Sequence, residues 1–321
     1  MLTLDDVYRA ANVLLGVVRK TDIIYAPELQ KGADIYLKTE NLQLTGSFKI
    51  RGAYFKIAEL SYEEKRKGVI ACSAGNHAQG VAFAAQKHNI RSIVCLPSCA
   101  PISKINATKG YGAEIYLVDG VYDDAYNKAV SLQREFGYTF VHPFDDEKVI
   151  AGQGTVALEI LEQLPGVDAI VCPIGGGGLI SGVAFVIKTI KPNVKIYGVQ
   201  ADGAASMLSS IASGKITELK QVSTVADGIA VKKPGRMTFD LCSSYVDEIV
   251  TVSDGEIFEA IFGLLRGYKL ISEGAGAVAV AAAVFDKINL RGKKTVCILS
   301  GGNIDPASLS NIINKYKNKE K

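Results

Sequence analysis

The chain has 321 residues, 48% of them hydrophobic, with 32 glycines, no tryptophan and a formal net charge of only +3. That length has room for two ordinary domains or one large one, and the composition fits an α/β protein rich in strand-to-helix turns. Basic residues are spread along the whole chain, so a nucleic-acid partner held by general electrostatics is excluded.

From the N-terminus, residues 1–6 are acidic and lack the basic and apolar segments of a signal peptide. A β-branched run at 35–38 reads as the first strand. The stretch Leu44-Thr45-Gly46-Ser47-Phe48-Lys49-Ile50-Arg51-Gly52-Ala53 then places Lys49 at the start of an apolar helix, with Ser47 as its expected N-cap. An ammonium there faces the positive end of the helix dipole, which favours the neutral amine needed for bonding to a carbonyl carbon. The charge run at 63–67 reads as a solvated helix end.

The strand at 69–72 runs into Ser73-Ala74-Gly75-Asn76-His77 and a helix. Amides at a helix start can hold a carboxylate, and an Asn side chain can donate to a ring oxygen; Asn76 can equally just shape a turn. His77 and His88 show no partner in sequence and read as structural or exposed. Strands at 92–96 and 114–118 follow, and the turn His142-Pro143-Phe144-Asp145-Asp146 marks a candidate boundary. A helix is expected at 156–164.

The strand at 169–174 ends in Gly175, Gly176, Gly177 and Gly178, with a helix over 179–190. Four glycines leave the backbone amides uncovered, and the helix adds its positive end, which together cradle a phosphate. A tight turn would need only one or two glycines. The phosphate is not a dinucleotide's, because the next strand, at 195–199, ends in Gln200 rather than an acidic residue. It is not a P-loop's either, because Leu179 and Ile180 stand where Lys and Ser/Thr would. A smaller phosphate ester fits better.

Farther on, a strand at 248–252 precedes a helix at 257–265 that opens on a capping box, Ser253 with Glu256. The most apolar run, 275–285, is too short to span a bilayer and reads as a buried helix, so no membrane partner is expected. The strand at 295–299 leads into Ser300-Gly301-Gly302-Asn303, either a site loop or a helix cap, and 315–321 reads as a frayed tail. Cys72, Cys95, Cys99, Cys172, Cys242 and Cys297 have no C-x-x-C spacing and read as small core residues in a reducing compartment, so the cytoplasm is the expected address. Strands alternating with helices imply an α/β fold with parallel sheets, whose ligand sits at the carboxyl ends of the strands.

Together, the segments around Lys49, Asn76, Gly175 and Ser300, with Ile150-Ala151-Gly152-Gln153-Gly154-Thr155, resemble the threonine dehydratase and serine racemase family, the fold-type II enzymes that use pyridoxal 5'-phosphate. The resemblance runs from about Val18 to Asp305 in the family's usual order. It implies two open twisted sheet domains with helices on both faces and the cofactor in the cleft between them. Residues 1–52 and 146–321 would form the larger, 53–145 a smaller, mobile one. Lys49 would hold the cofactor covalently and then act as base at Cα. Phe48 would pack beside the ring, Asn76 would bond its hydroxyl, and Ser300 would face its nitrogen. Gly175, Gly176, Gly177, Gly178 and Leu179 would hold the phosphate. Ser73, Ala74, Gly75, Asn76 and His77 would bind the carboxylate of a small amino-acid substrate. The activity implied is dehydration and deamination of L-threonine to 2-oxobutanoate and ammonia, and of L-serine to pyruvate, by a homodimer or homotetramer.

Within that family, a racemase needs a second acid/base group on the opposite face of the ring. The family's racemases have a serine where this chain has Ala74, whose methyl group transfers no proton. Their divalent-metal site has acidic ligands where Gln200 and Ser206 stand here, so no metal is expected. The match leaves no sequence for a C-terminal regulatory domain, as in the short, catabolic dehydratases. A serine dehydratase or serine racemase is the alternative within the family, and an NAD-dependent oxidoreductase or a non-catalytic sensor the alternative outside it.

Overall fold

Strands such as Val69–Cys72 and Ala169–Pro173 are apolar at every position and buried at every position, which requires helices on both faces of their sheets. A computed structural model of the chain, describing residues 2–317, contains this arrangement twice. In chain order the elements begin α1 (Leu4–Leu14), β1 (Ile23–Tyr25), β2 (Asp34–Lys38), α2 (Lys49–Ala58), α3 (Tyr62–Lys67), β3 (Val69–Cys72) and α4 (Asn76–Lys87). They continue with β4 (Ser92–Pro97), α5 (Ile102–Gly110), β5 (Glu114–Val118), α6 (Tyr122–Phe136), β6 (Thr139–Phe140), α7 (Glu147–Gln163), β7 (Ala169–Pro173) and α8 (Gly178–Ile190). The last are β8 (Lys195–Ala201), α9 (Ser206–Ser213), α10 (Arg236–Tyr245), β9 (Glu248–Val252), α11 (Asp254–Gly263), α12 (Gly274–Val284), β10 (Lys294–Ile298) and α13 (Pro306–Tyr316).

A six-stranded sheet has the order β1-β2-β10-β7-β8-β9, and a four-stranded sheet the order β5-β4-β3-β6. Every pairing is parallel except β1 with β2. In the small sheet the chain steps outward from β3 through β4 to β5, then returns to the other side of β3. In the large sheet it steps from β7 through β8 to β9, then returns as β10 on the other side of β7. Each sheet thus has a topological switch point, where neighbouring connections part and leave a crevice at the carboxyl ends of the strands. The loops after β3, β7 and β10 open there.

All eight expected strands are present within a residue or two of their expected ends, and β1 and β6 are additions. The run at 275–285 is the buried helix α12, and five cysteines are buried while Cys99 is exposed. The Ser253–Glu256 capping box forms, but α11 ends at Gly263 and passes into a π-helical turn at Leu264–Tyr268. Helix α7 starts nine residues before its expected start, capped by Asp146, whose carboxylate accepts from the amides of Lys148 and Val149. Gly152 and Gly154 disguise its first turns, since glycine lowers helix propensity. They are there for packing: a Cβ on Gly152 would lie 2.6 Å from Gly52 Cα, so α2 and α7 cross backbone to backbone. The C-terminal reading needs correction as well. Helix α13 runs to a buried Tyr316, so residues 315 and 316 are not a frayed tail, and 318–321 lie outside the described residues. Among the described residues no helix is long and apolar enough to cross a membrane.

Helix α2 is anchored by a buried guanidinium. Arg51 donates to both oxygens of Glu40 at 2.8 Å, and to both oxygens of Glu159 on α7 at 2.7 and 3.0 Å. Lys38 Nζ, at the end of β2, reaches Glu159 at 2.6 Å. These bonds tie α2 to the large sheet and to α7 through Lys38, Glu40 and Arg51, which are fully buried, and Glu159, which is mostly so. Replacing Arg51 by Met would leave Glu40 buried without its counter-charge. The expected loss is about 3–5 kcal/mol of folding stability, read from urea unfolding of the cofactor-free protein; a loss below about 1 kcal/mol would contradict the anchoring role.

Candidate active site

The two switch points share a cavity of about 710 Å³. Lys49, the first residue of α2, enters it from below. Its Nζ donates to the Pro143 carbonyl at 2.7 Å and lies 5.3 Å from the centre of the Phe48 ring. Burial pulls this amine down from the ordinary lysine value to about 8, against the opposing pull of the Glu273 carboxylate. The sequence reading credited the helix dipole; burial is the larger cause. The expected Ser47 cap is not made. Phe48 occupies the N-cap position without a side-chain bond, and Ser47 Oγ is buried with no partner. The reason is that residues 46–48 are pinned to the loop after β10: Phe48 N donates to Ser300 O at 3.1 Å, and Gly302 N to Gly46 O at 2.8 Å.

The turn at 141–146 clasps the site from one side. Val141 O accepts from His77 Nε2 at 2.8 Å, which makes Nε2 the protonated nitrogen of a buried, neutral imidazole. Burial, and then Lys49, push His77 down to about 3, so it is structural as expected. His142 Nδ1 accepts the amides of Phe144 and Asp145 at 3.3 and 2.8 Å. Asp145 in turn accepts the amides of Arg236 and Thr238 at the start of α10, at 3.0 and 3.1 Å.

Phe144 lies directly on the glycine loop. A Cβ on Gly176 would meet the Phe144 ring at 2.3 Å, one on Gly178 the Phe144 Cα at 2.9 Å, and one on Gly175 the Ile229 Cα at 3.0 Å. Gly177 has φ +98 and faces Thr238. All four glycines are therefore required by close approach or by backbone conformation, and no side chain caps the start of α8. The amides of Gly175, Gly176, Gly177, Gly178 and Leu179 donate to no protein group among the described residues. That is an anion site without an anion-binding side chain.

Opposite lies the loop after β3. Ser73 Oγ accepts from Gly75 N at 3.1 Å, and α4 begins at Asn76 with no side-chain cap, so its first amides also point into the cavity. Ala74 lines the same wall. Asn303 Nδ2 donates to Thr45 O at 2.9 Å and to Asn76 Oδ1 at 2.7 Å, which turns Asn76 Nδ2 toward Glu273 Oε1. Ser300 Oγ bonds Ala275 O at 3.3 Å and lines the cavity. The loop is thus a site loop and not a helix cap, since Asp305 caps α13. Every residue expected to touch cofactor or substrate lies on this cavity.

Gln200 is outside it and fully buried. Its amide nitrogen donates to Ile174 O at 3.4 Å and Ala204 O at 3.1 Å, and its oxygen accepts from Leu208 N at 2.9 Å. The side-chain amide is thus satisfied at both ends by main-chain groups.

Sequence reasoning missed Glu273, Lys104 and Asp227. Glu273 stands just before α12, is 6% exposed, and is pushed up to about 7 by burial and by Asp227. Lys104 of α5 pairs with Asp227 at the mouth, linking the small-sheet side of the cleft to the large. The available signal was a lone glutamate heading an otherwise apolar helix.

A part-neutral, partly buried lysine and a bare helix N-terminus in one cavity define an enzyme that holds a phosphorylated carbonyl compound. The chain belongs to the family of pyridoxal-phosphate dependent enzymes, whose model matches residues 14–301. It is 52% identical over 98% of its length to an L-threonine ammonia-lyase of Thermotoga maritima, covering 79% of that protein. It is 45% identical to a catabolic L-threonine dehydratase of Escherichia coli, over 97% of this chain and 96% of the other. Among solved structures it matches maize serine racemase with a TM-score of 0.93, at 34% identity over 99% of this chain and 98% of that one. It matches a threonine deaminase of Solanum lycopersicum with a TM-score of 0.90, at 39% identity over 97% and 94%.

In the cofactor-free protein, labelling of Lys49 by an amine-selective reagent, followed by peptide mass spectrometry, should rise with pH about a midpoint near 8. A midpoint at the ordinary lysine value, about 10.4, would contradict the part-neutral amine.

Proposed function

We propose that this protein is an ammonia-lyase that takes L-threonine to 2-oxobutanoate and ammonia, with L-serine to pyruvate as a second reaction. The observation that carries the reading is the Lys49 amine, partly buried and drawn toward neutrality beside a loop of uncovered amides. The residues fit pyridoxal phosphate: five unpaired amides and a helix N-terminus suit its phosphate, and Lys49 its aldehyde. Phe48 supplies a flat neighbour, Asn76 Nδ2 a donor for the ring hydroxyl, and Ser300 a neutral partner for the ring nitrogen. When bound, the cofactor supplies the sink for the electron pair left at Cα.

The protein's own work is placement and proton handling. The amides from Ser73 to His77 orient the substrate carboxylate at the positive end of α4, which fixes which bond at Cα faces Lys49. Lys49, as a neutral amine, would remove the Cα proton. The β-hydroxyl would depart as water, taking up a proton in place of the one that Lys49 has accepted, so the amine returns to its neutral form. The released enamine hydrolyses to the 2-oxo acid and ammonia, so one water is lost and one regained. Ser300 would face the ring nitrogen as a neutral group, without the negative charge an aspartate would bring there.

Serine racemisation is the second reading, favoured by the structural likeness to the maize enzyme. Ala74 speaks against it, because it offers no proton donor from the opposite wall. We further propose that 53–145 forms a small mobile domain against 1–52 and 146–321. The small sheet's containment in 69–140 supports this, although α2 straddles the division and packs on both α4 and α7. A homodimer or homotetramer in the cytoplasm completes the reading. Exposed Leu42, Leu44 and Ile271, grouped where Asn41 bonds Ile271 O, support self-association.

Purified protein loaded with pyridoxal phosphate, with a chelator present, should release 2-oxobutanoate from L-threonine. Lys49→Ala should lose the bound chromophore and about a thousandfold or more in turnover. A bound chromophore with no 2-oxo acid from threonine or serine would overturn the lyase assignment. Ala74→Ser should gain detectable serine racemisation while keeping its fold; no isomerisation would show that the opposite face needs more than this hydroxyl.

A further inference from the structure

Glu273 occupies the N-cap position of α12 but makes no cap bond. Its amide is held by Gly301 O at 3.1 Å, and its carboxyl turns into the cavity beside Lys49, Asn76 and Ser300. The polarity of the hydrogen-bond chain is set from its far end. The Thr45 carbonyl can only accept, so Asn303 Nδ2 faces it; Asn76 Oδ1 then faces Asn303, and Asn76 Nδ2 faces Glu273 Oε1. Glu273 is therefore an acceptor through Oε1, and no other protein group among the described residues bonds its carboxyl.

Holding Asn76 in place does not require a carboxyl. A glutamine would accept the same bond without the cost of burying an ionisable group. What a carboxyl adds is a place for a proton. The charged groups that face it are Asp227, which with burial pushes it up to about 7, and Lys104 and Lys49, which oppose that push. A carboxyl in this range exchanges protons near neutral pH. One proton must be removed here: an α-amino acid arrives as its ammonium form, which has no free electron pair with which to bond a carbonyl carbon.

We propose that Glu273 accepts the proton of the incoming amino acid's α-ammonium. The N–H bond breaks, its electron pair stays on nitrogen, and the proton passes to Glu273 Oε2; the amine is then free to replace Lys49 on the cofactor. The proton leaves to solvent through the cavity mouth when product departs. Glu273 is uncharged below about pH 7 and ionised above it. Amino-acid capture should therefore rise with pH through that value. The inference deepens the proposed function and rests on it for the class of substrate only.

The test is rapid mixing of the cofactor-loaded enzyme with L-alanine, which has no β-hydroxyl to lose, followed through the absorbance of the bound cofactor. Wild type should capture L-alanine with a rate rising through about pH 7. Glu273→Gln keeps the bond to Asn76 but cannot take the proton. It should hold the cofactor and melt like wild type, capture L-alanine about ten- to a hundredfold more slowly, and lose that rise. Glu273→Asp should recover part of the rate together with the pH limb. A Glu273→Gln variant with the wild-type rate, or with the limb near pH 7 intact, would overturn the proposal. If Glu273→Gln fails to hold the cofactor, Glu273→Asp decides alone, and absence of the limb there overturns it. Because L-alanine capture is read without turnover, a protein that captures it yet releases nothing from threonine fails the lyase reading and not this one.

Discussion

The Lys49 amine lies partly buried at the junction of two sheets with one neutral acceptor, the Pro143 carbonyl, at 2.7 Å. Burial favours the uncharged amine, and a carbonyl lets it stay so, whereas a directly bonded carboxylate would hold it as an ammonium. The arrangement works only if both ends are fixed. Helix α2 is fixed from below by Arg51, clamped between Glu40 and Glu159. The Pro143 carbonyl is fixed by the turn around it, through His142 Nδ1, Asp145 on α10, and Phe144 on the glycine loop. The glycine loop and the lysine are thus positioned by the same turn.

This explains why a site for chemistry sits where no single element could build it. Each sheet leaves a crevice at its switch point, and α2, packed on both α4 and α7, brings the two crevices together. Side chains that supply charge enter from both sides: Lys104 and Asp123 with the small sheet, Asp227, Lys232 and Glu273 with the large. The ion pairs Lys104–Asp227 and Lys232–Asp123 span the mouth, so the electrostatic surroundings of Glu273 depend on how the two sides meet.

The fold does not choose the reaction. This chain superposes on a serine racemase and on a threonine deaminase almost equally well. The proposed reaction turns on small differences: a methyl group at Ala74, and at Gln200 an amide satisfied by two carbonyls and a backbone N–H. Neither changes a backbone path.

What the amino-acid sequence determined by itself was local. The strands at 69–72 and 169–173 declare themselves because burial on both faces demands apolar residues at every position. The four glycines stand out as a run whose amides no side chain covers, and Lys49, Asn76 and Ser300 stand in recognisable surroundings. Helix α7 was read late because Gly152 serves a crossing with Gly52 a hundred residues away and Gly154 one with Gly182 of α8, and both lower the local helix signal. Ser47 looked like a cap because capping is a local rule, and it failed because a bridge to Gly301 took that backbone. Glu273 carried no local mark. Its position beside Asn76, and a carboxyl poised near neutrality, come from three loops distant in the chain meeting where water is excluded. Local preferences are written in neighbouring residues; desolvation and the polarity of a hydrogen-bond chain exist only after the chain has closed on itself.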